Sequence, residues 1–142
     1  MNVKKVLFAG VVVGILSGIW GGITCGWLFN WVYSLEPTTI WRGKEAMTAG
    51  FTAMVNIANI VFSTLLAFVY ALLYKGIPGK GVIKGLWYGV VVWLVGTLPG
   101  SFMAGVFSVI AKGVIVYWII SGLITNIWQG VVISLIYKEG SE

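Results

Sequence analysis

The chain contains no histidine, a single cysteine (Cys25), three prolines and only 9% charged residues in 142 positions. Without histidine or a second thiol, the usual side-chain sets for zinc, iron–sulfur or haem ligation are excluded, so no metal site is expected. One cysteine closes no intrachain disulfide and says nothing about redox compartment. The scarcity of charge excludes disorder. With 59% of positions hydrophobic, it also excludes a soluble domain, because a chain this short has too little interior to hide so much apolar surface. Catalysis has little to work with. Glu36 and Glu45 read as solvated charges paired with Arg42 and Lys44. The serines have no histidine and no obvious lysine partner to act as an activating base. A non-catalytic protein is expected.

What remains is apolar sequence in long runs. The charged residues gather in short clusters and leave four charge-free stretches, 6–35, 46–74, 85–111 and 113–137. Each exceeds the roughly 20 residues that cross a hydrocarbon core about 30 Å thick. The expected fold is an all-α integral membrane protein, a single four-helix transmembrane domain over residues 1–142. Lys4 and Lys5 followed by an apolar run also have the form of a signal-peptide start. A lipoprotein-type site at Cys25 would need a small residue and a leucine where Gly22, Ile23 and Thr24 stand, so the segment is read as the first span.

The net charge of +5 reflects topology rather than a nucleic-acid footprint, and no nucleic-acid partner is expected. Lys4, Lys5, Lys75, Lys80, Lys84 and Lys138 fall on one side of the four spans. Arg42, Lys44 and Lys112 fall on the other, where Glu36 and Glu45 offset the first two. The bias places both termini in the cytoplasm and the chain in the cell (cytoplasmic) membrane. Lys75, Lys80 and Lys84, on the loop between the second and third spans, are candidate contacts for anionic lipid at about 1 kcal/mol each. That loop lacks the glycine spacing and the Ser or Thr of a phosphate-binding loop. Trp27, Trp31, Tyr33 and Trp41 are expected at one headgroup boundary, and Tyr70, Tyr74, Trp87 and Tyr88 at the other.

The third span carries Leu98-Pro99-Gly100 inside an apolar stretch that would be about 40 Å long as one helix. The reading adopted is an interruption at Pro99-Gly100, leaving Ser101–Ala111 as an interfacial half-helix. The alternative is one long helix kinked at Pro99. Lys5–Val13 also matches Lys84–Val92 in its Lys, Leu, aromatic, Gly and triple Val at an offset of 79. Leu72–Lys75 resembles Leu135–Lys138 at an offset of 63. Two parallel two-helix repeats, 1–76 and 77–142, would account for both.

Two packing patterns follow. Gly10, Gly14, Gly18, Gly22 and Gly26 stand four apart on the first helix, and small residues let membrane helices approach closely. Gly122 and Gly130 offer a similar face on the fourth. The second pattern is polar. Asn56, Asn59 and Ser63 share a face of the second helix, while Thr125, Asn126 and Gln129 lie close together on the fourth. They serve either as interhelical hydrogen bonds or as a pocket for a small neutral solute. No cofactor is required, although a bound lipid, quinone or pigment would find polar handles there and rings in Trp20, Trp93 and Trp128.

The expected function is that of an accessory, assembly or scaffold subunit, as a homo-oligomer or with other membrane subunits. The alternative is a transporter, channel or binding protein for a small neutral or lipophilic molecule using the amides of helices 2 and 4.

Overall fold

A computed structural model describes residues 1–138. Four helical spans, Val3–Leu28, Ala49–Leu73, Val82–Phe107 and Lys112–Ile136, are long and apolar enough to cross a membrane. Among the described residues there is no strand. The chain is an all-α, multi-pass membrane protein.

Helix α1 (Val3–Ile23) starts where Asn2 accepts the Lys5 amide at 3.1 Å, which satisfies an otherwise unpartnered N–H of the first turn. It runs on through a wide π-helical turn, Thr24–Leu28, into a 3-10 turn at Asn30–Ser34. Helix α2 (Ala49–Leu73) is capped in the same way, Thr48 accepting the Phe51 amide at 3.2 Å. The return to α3 (Val82–Val92) is tight. Gly79 and Gly81 hold φ of 87° and 53°, a left-handed backbone that side chains disfavour.

The third span differs from expectation in where it breaks. A wide turn at Trp93–Thr97 follows α3, with the Leu98 amide reaching back to the Trp93 carbonyl, and α4 (Leu98–Phe107) continues straight through Pro99-Gly100. Residues 101–107 therefore belong to the same span and form no separate half-helix. Proline has no N–H for the Val95 carbonyl and its ring crowds that oxygen. The extra residue in the wide turn absorbs the misfit upstream. Pro99 then sits in the first turn of α4, where a missing donor is tolerated. Only Ser108–Ala111 separate α4 from α5 (Lys112–Ile136).

The chain forms two antiparallel hairpins, α1 with α2 and the third span with α5, joined mainly where α1 meets α5. The common core lies toward the termini: Val6, Ala9 and Val13 from α1, Ala67 and Tyr70 from α2, Tyr88 from α3, Ile133 from α5, and Tyr137 beyond it. The expected boundary role of Tyr70 and Tyr88 is corrected here. Both are almost fully buried, at 1% and 3% exposure. The Tyr70 ring meets those of Tyr74, Tyr88 and Tyr137 edge-on at 5.7, 5.1 and 6.2 Å. The Tyr88 hydroxyl donates to the Leu66 carbonyl at 2.6 Å, giving its polar end a partner.

The hairpins cross on glycine. A Cβ on Gly89 would strike the Asn126 carbonyl and come within 2.7 Å of the Ile127 Cα; one on Gly130 would strike the Gly85 carbonyl. In the first hairpin a Cβ on Gly10 would strike Thr64, and one on Gly14 would lie 2.5 Å from the Ile60 Cα.

Candidate functional site

The polar side chains of the span interiors lie in a belt across the bundle, on the side of the core away from the termini. Gln129 on α5 donates through Nε2 to Ser17 Oγ of α1 at 2.8 Å, and Ser17 donates onward to the Val13 carbonyl at 2.7 Å. One turn along, Trp20 Nε1 donates to Thr125 Oγ1 at 3.0 Å, and its ring meets Trp128 edge-on at 6.2 Å. These contacts tie α1 to α5.

Asn126 points the other way, to the third span. Its Nδ2 donates to Thr97 Oγ1 at 2.8 Å and to the Gly122 carbonyl of its own helix at 2.7 Å. Thr97 also packs against Gly122, leaving no room there for a side chain. Nearby, Trp93 Nε1 donates to the Ile119 carbonyl at 2.9 Å. Asn126 and Gln129 are thus neighbours in sequence but partners of different helices. The space they share with Leu66, Tyr88, Val92 and Gly130 is too small for a water molecule.

Asn56 and Asn59 do not join them. Both flank Gly18 on α1: Asn56 Oδ1 lies 2.5 Å, and Asn59 Nδ2 3.8 Å, from where a Gly18 Cβ would stand. Neither carboxamide has a hydrogen bond to any described residue. Ser63 is buried on the same helix at 2% exposure. Asn56 and Gly18 line a groove of about 420 Å³ between α1 and α2, together with Gly14, Ile15, Ile19 and Ile60.

The glycine stripe of α1 divides here. Gly10, Gly14 and Gly18 are in close contact with α2, whereas nothing outside their own helix comes within 4 Å of a Cβ on Gly22 or Gly26. Each four-residue step turns about 40° around the helix, so the stripe winds off the α2-facing side beyond Gly18, the last glycine to meet α2, at Asn56.

The three lysines of the second turn also divide. Lys75 and Lys80 are exposed. Lys84 is buried at 8% exposure, donates to the Tyr74 carbonyl at the end of α2, and lies 4.0 Å from the centre of the Tyr74 ring. A cation there complements the helix carboxyl end and the ring face. The expected lipid contact thus narrows to Lys75 and Lys80.

At the far end from the termini, Tyr33, Trp41, Tyr117 and Trp118 meet edge-on around Cys25. Tyr33 accepts from Trp118 Nε1 at 3.1 Å and donates to Cys25 Sγ at 3.6 Å. Burial pushes its hydroxyl well above the ordinary phenol range. The Trp41 and Trp128 indole N–H groups are buried without a partner among the described residues. Arg42 lies 5.9 Å over the Phe51 ring, and Glu36 accepts the Thr38 amide.

Trp20 and Thr125, singled out in the sequence, join the belt, and Ser17 and Thr97 complete it; sequence reasoning missed those two. Ser17 was the findable one, since it is a small hydroxyl within one turn of Gly14 and Gly18, both already singled out. No group of three or more His, Cys, Asp or Glu capable of holding a metal occurs among the described residues. Fold and site together define a class, a four-span membrane protein whose central amides bridge its own helices. No protein-family model matches the chain, and no curated protein and no solved structure matches it.

Proposed function

We propose that this protein is a non-catalytic membrane component, an accessory, assembly or scaffold subunit that works through its outer helix faces. The carrying observation is the closed centre of the bundle. Gln129 and Asn126 each donate to another helix, and the space beside them has no room for water. A route for a neutral solute would need those amides to line an open path. The outer faces, by contrast, are large and apolar: only 6% of the most apolar window of the third span is buried. The six-to-three lysine and arginine bias supports a cytoplasmic-membrane location with both termini inside.

A second reading, a binding protein for a small neutral or lipophilic molecule, is favoured by one feature, the 420 Å³ groove with the Asn56 carboxamide. Purification in a gentle detergent followed by native mass spectrometry separates the two. A homo-oligomer or a stoichiometric larger subunit is expected. A monomer retaining one small molecule would overturn the component reading in favour of the second.

A further inference from the structure

The groove between α1 and α2 presents an unusual combination in a membrane. Asn56 stands seven residues into α2, about 10 Å from its end and near 7 Å from the middle of a hydrocarbon layer about 30 Å thick. A side chain at that depth does not reach the headgroups. Its carboxamide has two donors and an acceptor, yet it bonds to nothing among the described residues and is exposed on the outer surface. Acyl chains offer neither donor nor acceptor, so lipid leaves the amide unsatisfied. Farther along α1 the winding stripe presents Gly22 and Gly26, exposed and with nothing within 4 Å. An acyl chain has no need of such bare backbone, whereas a helix does.

From this geometry we infer that the groove is the interface of a homodimer, with the α1–α2 face of a second copy as its occupant. A carboxamide is self-complementary. Two Asn56 side chains related by a two-fold axis along the membrane normal exchange two reciprocal N–H···O bonds, and a two-fold interface places the same patch on both subunits. An axis along the normal keeps depth, so Ile15 and Ile19 on the groove wall meet the partner's residues of the same depth, and Gly22 and Gly26 lie along the same interface farther from the termini. The inference rests on the component reading above and gives it a specific surface.

The test uses the full chain in native membranes. Asn56→Cys and Phe62→Cys are each made in a Cys25→Ser background and treated with a short bifunctional methanethiosulfonate. Phe62 is 64% exposed and about 120° around α2 from Asn56. Asn56→Cys is expected to yield a dimer-mass species and Phe62→Cys is not. In liposomes, single-molecule step counting should show Asn56→Leu dimerising about tenfold more weakly than the parent, the loss of two interhelical hydrogen bonds. Equal cross-linking at both positions, or a parent monomeric at every density, overturns the proposal. So does rapid labelling of Asn56→Cys by a membrane-impermeant maleimide, which would mean a water-filled crevice. A monomer that still carries a larger subunit sinks the dimer and leaves the component reading standing. A monomer with no protein partner sinks both.

Discussion

The tight helix crossing in the second hairpin allows a direct energetic forecast. A methyl added at Gly89 or Gly130 meets backbone rather than the movable end of a side chain: the Asn126 carbonyl and Ile127 Cα in one case, the Gly85 carbonyl in the other. Backbone cannot rotate aside, so the helices must part. Moving a 2.7 Å approach out to ordinary contact takes about 1 Å, a gap that forfeits up to half of each pair's ~0.1–0.2 kcal/mol. Over some 30 atom pairs along the crossing the loss is roughly 2 kcal/mol, inside the range of about 1–3 kcal/mol for overpacked interiors. No hydrophobic term offsets it, because lipid is as apolar as the helix surfaces. Gly89→Ala and Gly130→Ala are therefore each expected to lower the folded-to-unfolded ratio about thirtyfold. Unfolding in mixed micelles titrated with SDS, followed by tryptophan fluorescence, measures this. Gly96→Ala and Gly100→Ala, with nothing within 4 Å of the new methyl, should stay within about 0.5 kcal/mol of the parent. The reasoning fails if the first pair is neutral, or if the second pair costs as much as the first.

Three further outcomes follow from other contacts. A double-mutant cycle over Ser17→Ala and Gln129→Leu should return a coupling of about 0.6 kcal/mol, the average for interhelical hydrogen bonds, in the same SDS titration; zero coupling would remove α1–α5 bridging from the account. Lys84→Met should destabilise by about 1–2 kcal/mol, because it removes a cation from both the α2 carboxyl end and the Tyr74 ring, and Lys84→Arg should recover part of the loss. Tyr33 should remain protonated at a pH where a free phenol ionises, near 10. Because burial raises its folded pKa, its contribution to stability is complete below pH ~10 and is lost as the pH climbs above that value. The ultraviolet titration difference between the parent and Tyr33→Phe should therefore lie above pH 10, and a phenol titrating at its ordinary value would refute the burial argument.

The spans were legible because length and the absence of charge define them without reference to neighbours. The glycines were legible as packing residues, since a bare backbone has few other uses in a membrane helix. Their partners were not, because rotation about each helix axis is set by tertiary contacts. That is why Gly18 and Gly22, four residues apart, differ so completely in surroundings, and why Asn126 and Gln129 serve different helices. Pro99 announced an irregularity, but its effect travels toward the residues whose carbonyls it crowds and appears at Trp93–Thr97. The tyrosines misled for a related reason. Their preference for headgroups holds for surfaces, and Gly85, Gly89 and Ala67 draw the helices together around a core in which ring volume and a hydroxyl acceptor were both available for Tyr88. Lys84 was counted with the loop charges, yet the two left-handed glycines fold the chain back sharply enough to set its ammonium over Tyr74.

The same crossings bear on how the chain is built. Under the offsets of 79 and 63 found in the sequence, Gly89 corresponds to Gly10 and Ile127 to Thr64. Those offsets came from helix ends and took no account of contacts, yet the glycine and its backbone neighbour recur as a touching pair in both hairpins: Gly10 against Thr64, Gly89 against Ile127. Tyr74 and Tyr137, equivalent under the second offset, both turn their rings onto Tyr70. A chance likeness between two valine-rich segments carries no obligation to place its glycines against matching positions of a second, separately aligned helix. Duplication of one hairpin does, because the crossing is inherited with the sequence. The first hairpin has its close-contact glycines on α1 alone, at Gly10, Gly14 and Gly18, while the second has them on both helices, at Gly85, Gly89 and Gly130. One hairpin thus has its small-residue face filled, and the other has part of it, and an amide, facing outward.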